Sequence, residues 1–98
     1  YTARPALEIE TAGFEVLGAL LGLFTNAVEA RAGVEGIRFT TRERMLLKLL
    51  PTQFLGHGGE PDADPYIRLL QVADFVAGMT DSYAVDMYRK LKGFDLPT

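Results

Sequence analysis

The sequence predicts an all-α fold of three main helices plus a short one, packed as a helical bundle. Over two long segments apolar residues recur every three or four positions, as one face of a buried helix requires. Residues that favour helix starts precede these segments, and stretches rich in glycine and proline separate them. Ninety-eight residues are enough for a single domain with a small core, so we expect residues 1–98 to form one helical domain.

The first helix is predicted to run from Pro5 to about Ala30. Its core stripe has helical spacing and consists of Leu7, Phe14, Leu17, Leu21, Phe24 and Val28. The apolar run Val16–Phe24 is about half the length that crosses a bilayer, so it indicates a buried core helix rather than a membrane span. Gly18 and Gly22 stand four apart in this run. That spacing favours close approach of a neighbouring helix, with contact to a ligand as the alternative.

A second helix is predicted from Thr40 to Leu50, because Thr40 and Glu43 have the spacing of a capping box. Pro51 ends it, and a short turn at 52–55 and a loop at 56–64 follow. Its predicted core residues are Met45, Leu46, Leu49 and Leu50, and its predicted outward residues are Arg42, Arg44 and Lys48.

The third helix is predicted to be a single long one from Asp64 to Gly93, at the centre of the fold. Asp64 suits an N-cap, Pro65 suits the first helical position, and Gly93 follows a cationic last turn. The stripe predicted to face the core is Ile67, Leu70, Ala73, Ala77, Thr80, Ala84, Met87 and Leu91. Further apolar residues widen it beyond one narrow face: Leu69, Val72, Val76, Met79, Tyr83 and Val85. Gly78 falls mid-helix in this prediction, so we expect a backbone or a ligand to lie against it. The alternative is an exposed Gly78.

Few residues of this chain are suited to catalysis. It has no cysteine, which excludes disulfides and thiolate metal sites, and its net charge of −3 argues against a nucleic-acid-binding surface. The single histidine, His57, is followed by Gly58 in a loop, whereas a hydrolytic metal site needs several converging ligands. We therefore predict no catalytic residue and no metal ligand in this chain.

Four residues are candidates for contact with a substrate. Tyr66 and Arg68 begin the third helix, where anions bind favourably; tyrosine can stack on a base and arginine can hold a phosphate. Asp74 and Asp81 stand seven apart on one line of the predicted helix, where they could hold a basic residue from another part of the protein or from a second subunit. Solvent exposure or pairing with basic neighbours is the alternative for these two.

The segment DFVAGMTDSYAVDMYRKL, residues 74–91, resembles the closing-helix motif of bacterial deoxyguanosine-triphosphate triphosphohydrolase-like proteins, which belong to the HD superfamily of metal-dependent phosphohydrolases. The matching positions are Asp74, Val76, Ala77, Gly78, Met79, Thr80, Asp81, Tyr83, Ala84, Tyr88 and Leu91. Phe75 departs from the pattern, which usually has tyrosine there. The earlier segment LEIETAGFEVLGALLGLF resembles the helix that opens the family's C-terminal associated region.

This resemblance implies a C-terminal fragment of a larger, cytoplasmic, all-α HD-type enzyme. The implied enzyme cleaves a dNTP to deoxynucleoside and tripolyphosphate with a divalent metal such as Mg²⁺ or Mn²⁺. Its implied partners are the upstream catalytic HD core, which holds the metal, and further copies in a homo-oligomer. This segment is expected to pack against that core, to shape the nucleotide pocket and to make oligomer contacts. The alternative is a free-standing, non-catalytic helical interaction module.

Overall fold

The computed structural model describes the backbone of residues 3–95 and the side chains of residues 15–93. Over this range it contains no strand, and its α-helices are α1 (Ala3–Ala32), α2 (Thr41–Leu49), α3 (Pro65–Ala77) and α4 (Asp81–Asp95). Two single 3₁₀ turns, Thr52–Phe54 and His57–Gly59, lie between α2 and α3. The predicted all-α fold is confirmed.

The central element is α1, which packs against α2, α3 and α4. Its thirty residues span about 45 Å at 1.5 Å per residue, close to the 50 Å length of the molecule. Phe24 and Val28 are buried, while Leu17 and Leu21 are half-buried against the core. Leu7 and Phe14 lie outside the described side chains. The expectation that the segment 64–93 forms the central helix is therefore wrong.

The end of α1 is set by a glycine in the left-handed region. Gly33 has φ 87°, and its N–H donates to the Ala30 carbonyl at 3.2 Å while the Val34 N–H donates to the Glu29 carbonyl at 3.1 Å. These two bonds form a Schellman motif, which satisfies carbonyls at the end of a helix. They place Glu29 in the last turn of α1.

The capping box predicted at the start of α2 is confirmed. The Glu43 carboxylate accepts from the Thr40 N–H at 2.9 Å and from the Thr40 hydroxyl. Leu46 and Leu50, four residues apart on one face, are buried. Met45 and Leu49, predicted to be core residues, are 38% and 43% exposed, because each lies one residue, or about 100° of rotation, away from that face.

The predicted single helix 64–93 is in fact two helices with a joint at residues 78–80. Gly78 caps α3, with its N–H donating to the Asp74 carbonyl at 3.1 Å. The Thr80 hydroxyl accepts from the Tyr83 N–H at 3.2 Å and thereby caps the start of α4. Gly78 is exposed, and an added Cβ would make only an ordinary 3.4 Å contact with the Asp74 carbonyl, so no other helix of the described chain lies against it. Contact of Gly78 with a ligand stays a prediction. Gly93 does not end α4, which continues to Asp95.

The joint also changes which residues face the core. In α4 the buried residues are Ala84, Met87 and Leu91, as predicted. In α3 they are Arg68, Val72, Phe75 and Val76, whereas the predicted Ile67, Leu70 and Ala77 are exposed. The prediction extended the apolar stripe of α4 back through residues 64–80 as if they formed one helix. Because the joint at 78–80 breaks the helix, the buried face of α3 is rotated relative to that of α4, and the extended stripe falls mainly on the exposed side of α3. The Phe75 ring packs against Phe24 and Phe54, with centroids 5.2 and 5.3 Å apart.

Candidate functional site

The start of α3 is capped as predicted. The Asp64 carboxylate accepts from the Tyr66 N–H at 2.9 Å, and Pro65 occupies the first turn, where its missing N–H removes no helix bond. The Arg68 N–H donates to the Asp64 carbonyl at 3.0 Å. The Arg68 side chain points toward α1 instead of toward solvent.

The Arg68 guanidinium is buried in a network that joins α3, the preceding loop and α1. Its Nε and Nη2 donate to the two carboxylate oxygens of Glu29 at 2.6 and 3.2 Å. Its Nη1 donates to the carbonyls of Asp62 and Ala63, both at 3.0 Å. The hydrogen bond with Glu29, more than the accompanying charge attraction, raises the pKa of Arg68 above its ordinary value. The side chain predicted to contact a phosphate thus has its donors bound within the fold.

The loop that supplies those carbonyls is held at two other points. Arg31 Nε and Nη2 donate to the Glu60 carboxylate at 2.7 and 3.0 Å, on the surface, and this bond lowers the pKa of Glu60. The Gly56 N–H donates to the Glu60 carbonyl at 2.6 Å. A Cβ on Gly56 would lie 3.0 to 3.1 Å from backbone atoms of Glu60 and Asp62, so only glycine fits there without a shift of the loop. We call Glu29, Arg68 and the loop 56–64 the α1–α3 junction.

Tyr66 lies on the opposite side of α3 and is 68% exposed. Ile67, Leu69 and Leu70 are next to it and are 38%, 49% and 44% exposed. The first two turns of α3 therefore present apolar side chains to the outside over most of their surface. We call these four residues the α3 apolar surface.

Asp74 and Asp81 are both exposed, and the joint at 78–80 separates them. They belong to two helices rather than to one line of a single helix, so they do not share a helical angle as predicted. Their proposed role in contacting a substrate stays a prediction, as does that of Tyr66 and Arg68.

No group of three or more His, Cys, Asp or Glu side chains that could hold a metal occurs among the described residues. His57 is exposed in the second 3₁₀ turn. The described side chains therefore do not fit a divalent metal centre. Likewise, none of the helices in the described range is long and apolar enough to cross a membrane.

An open groove of about 440 Å³ lies where α1, α2 and α4 meet. Its lining residues are Gly18, Ala19, Gly22, Leu23 and Asn26 of α1, Arg42 of α2, and Tyr88 and Lys92 of α4. A Cβ added to Gly18 or Gly22 would have no heavy atom within 4 Å. The expected close approach of a neighbouring helix to these glycines is therefore wrong for the described part of the chain. We call this cavity the α1–α4 groove.

A smaller, more apolar cavity of about 260 Å³ lies between α2 and α4, lined by Leu49, Tyr83, Asp86, Met87, Lys90 and Leu91. Leu49 and Tyr83 are 43% and 49% exposed at its edge. Together with the α3 apolar surface, this region accounts for most of the large apolar side chains exposed among the described residues.

The family model of the phosphohydrolase-associated domain matches residues 39–90, more than half of the chain. The chain belongs to the phosphohydrolase-associated domain family. The match begins just before the α2 capping box and ends within α4, so it contains the α1–α3 junction residue Arg68 and the joint at 78–80.

Three curated relatives of this family member are each described as a deoxyguanosinetriphosphate triphosphohydrolase-like protein. The chain is 37% identical to the protein of Listeria monocytogenes over 95% of its own length, 38% to that of Synechocystis over 92%, and 35% to that of Pseudomonas aeruginosa over 91%. It spans only about a fifth of the length of these relatives. No solved structure matches the chain.

Within this phosphohydrolase-associated domain, the sequence carries a signal for the joint at 78–80. Gly78 is a typical helix stop, and two residues later a helix start follows. Thr80 is the N-cap residue of that start, and Asp81 provides an acidic first turn. The signal for the buried Arg68 was its spacing of four and seven residues from Val72 and Phe75, which puts an arginine on the apolar face. Its partner Glu29 is 39 residues away, and no local pattern could identify it.

Proposed function

We propose that the chain is the C-terminal part of a dGTPase-like deoxynucleotide triphosphohydrolase, an enzyme that converts a dNTP and water to a deoxynucleoside and tripolyphosphate. Within that enzyme the segment packs against the catalytic part, shapes the nucleotide pocket and contributes oligomer contacts. A cytoplasmic location belongs to this proposal, because its substrates are deoxynucleotides.

The observation that carries the proposal is the similarity of nearly the whole chain to triphosphohydrolase-like proteins from Listeria, Synechocystis and Pseudomonas. These relatives are about five times longer than the segment they share with this chain. Since the described side chains do not fit a metal centre, the residues that bind the divalent metal and activate water are assigned to the other part of the enzyme.

The contact role is supported by the α3 apolar surface. Proteins that act alone seldom expose large contiguous apolar patches, and such patches often mark contacts with another protein surface. Tyr66, Ile67, Leu69 and Leu70 form such a patch on one helix, which is fixed to α1 from its other side by Arg68. A rigid helix with an uncovered apolar surface is well suited to pack against a catalytic core or against a second subunit.

The catalytic part of the proposal is tested with the protein at its natural length. We expect it to release tripolyphosphate from at least one dNTP in the presence of Mg²⁺, Mn²⁺ or Co²⁺, and we expect chelation to abolish the release. Its reading frame should contain an adjacent His-Asp pair upstream of the segment described here. A natural-length protein without that pair and without hydrolysis of any dNTP contradicts the proposal and favours the non-catalytic interaction module.

The contact role has a separate test in the same protein. Leu69→Asp with Leu70→Asp puts two charges on the α3 apolar surface, and we expect it to lower hydrolysis or to dissociate the oligomer seen by ultracentrifugation. Gln53→Asp with Ser82→Asp adds the same charge at exposed polar positions and serves as the control. If both variants keep the activity and the mass of the wild type, the contact role fails while the catalytic assignment stands.

A further inference from the structure

The cavity between α2 and α4 has an apolar edge that no other described part of the chain covers. Its volume is about 260 Å³, and we call it the α2–α4 cavity. Among its lining residues Met87 and Leu91 are buried, whereas Leu49 and Tyr83 are 43% and 49% exposed. Met45 lies one helical turn before Leu49 on α2 and is also exposed, so it extends the apolar surface along that helix.

Two exposed charged residues, Asp86 and Lys90, line the same cavity from α4. They are four residues apart and therefore lie on one side of the helix. Within the part of the chain that the structure describes, neither makes an ion pair or a hydrogen bond through its side chain. Both charges are therefore available to a partner, and they are of opposite sign.

The order of these two charges makes the surface of α4 complementary to a copy of itself. When two α4 helices lie side by side in opposite directions, a twofold axis midway between residues 86 and 90 relates them. Asp86 then lies opposite Lys90 of the second copy, and Lys90 lies opposite Asp86 of the second copy. A twofold contact repeats every pairing, so this arrangement matches both charges of both copies.

Apolar side chains lie beside the paired charges. Tyr83 is one turn before Asp86 on the same side of α4, and Leu49 lines the cavity from α2. A second copy laid along Asp86 and Lys90 would cover both apolar side chains and part of the cavity mouth. Specific interfaces commonly combine an apolar centre that contains tyrosine with a polar rim. The surface therefore has both parts of a contact between proteins.

We propose that Tyr83, Asp86 and Lys90, which we call the α4 pairing surface, bind the same residues of a second copy in an antiparallel twofold contact. The proposal rests on the proposed function in one respect, since it names the surface that makes the oligomer contact. It needs neither the catalytic reaction nor the α3 apolar surface.

The test reverses one charge at a time in the natural-length protein. Its mass is followed by sedimentation velocity at low ionic strength, where exposed charges are least screened. Asp86→Lys places lysine opposite lysine twice in each pair of copies, and Lys90→Asp places aspartate opposite aspartate twice. We expect either variant to raise the dissociation constant of this contact by about tenfold or more, because facing like charges repel. Asp86→Lys with Lys90→Asp in one chain restores both pairings, and its mass should return to that of the wild type.

Mixing the two single variants separates contact between copies from an effect within one chain. A copy with Asp86→Lys carries two basic residues on the α4 pairing surface, and a copy with Lys90→Asp carries two acidic ones. A mixed pair therefore has only attractive contacts between charges, and we expect the mixture to regain the mass that each variant alone has lost. An unfolded variant, or an ion pair within one helix, gives no recovery on mixing.

Lys92→Asp is the matched control. It makes the same charge reversal on the same helix, but Lys92 lines the α1–α4 groove instead of the α2–α4 cavity. Alone it should keep the mass of the wild type, and it should not restore the mass of Asp86→Lys when the two are mixed.

The proposal is overturned if the wild type forms an oligomer and both single variants keep its mass, because the contact then lies elsewhere while the proposed function stands. It is also overturned if the single variants lose mass and their mixture does not regain it. Lower dNTP hydrolysis at unchanged mass would overturn it as well, since the catalytic part of the enzyme would then occupy this surface. A wild type that is monomeric at every concentration contradicts this contact and the oligomer role together, and release of tripolyphosphate still tests the catalytic assignment separately.

Discussion

The α1–α3 junction and the α1–α4 groove are both polar regions on the same helix, yet their charged side chains differ in burial. At the junction, Arg68 donates to Glu29 and to two loop carbonyls, and little of it reaches solvent. In the groove, Arg42 and Lys92 are exposed and face an open space of about 440 Å³. The two regions also differ in the space around a glycine. A Cβ added to Gly56 would lie 3.0 to 3.1 Å from loop backbone atoms, whereas a Cβ added to Gly22 would have no heavy atom within 4 Å.

The difference shows how a charged residue near a helix end should be interpreted. Arg68 lies in the first turn of α3, a favourable place for anion binding, but its side chain points inward and stabilises the fold. Lys92 lies in the last turn of α4, where a cation complements the helix dipole, yet it also borders a cavity. Burial and hydrogen-bond partners, rather than position along the helix, identify Arg68 as a charge that stabilises the fold.

The largest effect is expected from breaking the junction. Arg68→Met should lower the free energy of unfolding by roughly 3 kcal/mol, because it leaves the Glu29 carboxylate and the Asp62 and Ala63 carbonyls without their donor. Urea denaturation measures the change, and Arg89→Met, an exposed arginine on α4, should stay within about 0.5 kcal/mol of the wild type. Equal losses in the two variants would show that the buried ion pair does not stabilise the junction.

Gly56→Ala should destabilise the same region by about 1–3 kcal/mol, since its Cβ would press on loop backbone that cannot retreat without moving the Arg68 acceptors. Native-state hydrogen exchange should show the loss first in the loop 56–64 and at the start of α3. An unchanged urea midpoint with unchanged exchange in these peptides would contradict the tight packing of the loop.

The capping box of α2 should make a contribution to the free energy of unfolding that is lost in acid. The hydrogen bond from the Thr40 hydroxyl holds the pKa of Glu43 below its ordinary value of 4.5. The stabilisation that the ionised Glu43 carboxylate gives to the fold is therefore complete above about pH 4.5, and it is lost as the pH falls through the lower pKa of the folded state. The wild type should therefore lose more stability between about pH 6 and about pH 3 than Glu43→Gln does. Thermal denaturation across this range measures it, and parallel curves for the two proteins would contradict the prediction.

The smallest effect is expected at the groove floor and has the opposite sign. Gly22→Ala should raise the free energy of unfolding by up to about 1 kcal/mol, because alanine favours the helix and its Cβ meets no neighbour. Urea denaturation of both variants should therefore show a lower midpoint for Gly56→Ala and a higher midpoint for Gly22→Ala. A clear loss of stability in Gly22→Ala would mean that the floor is packed.

Local patterns in the sequence predicted α1, α2 and the caps at Thr40 and Asp64, because each depends on neighbouring residues. The division of 64–93 into two helices was missed because the apolar spacing runs on through the joint, although Gly78 and Thr80 marked it. The Glu29–Arg68 pair and the groove could not be predicted. They depend on how helices far apart in sequence pack on α1, and one sequence gives no register for that packing.

The buried charges of the α1–α3 junction stabilise the fold more than the exposed charges that line the groove. Thermal denaturation tests this difference in three proteins: the wild type, Arg68→Met, and the double variant Arg42→Gln with Lys92→Gln. We predict a clearly lower Tm for Arg68→Met and a Tm close to that of the wild type for the double variant. A fall in Tm of equal size in the two variants would contradict the difference.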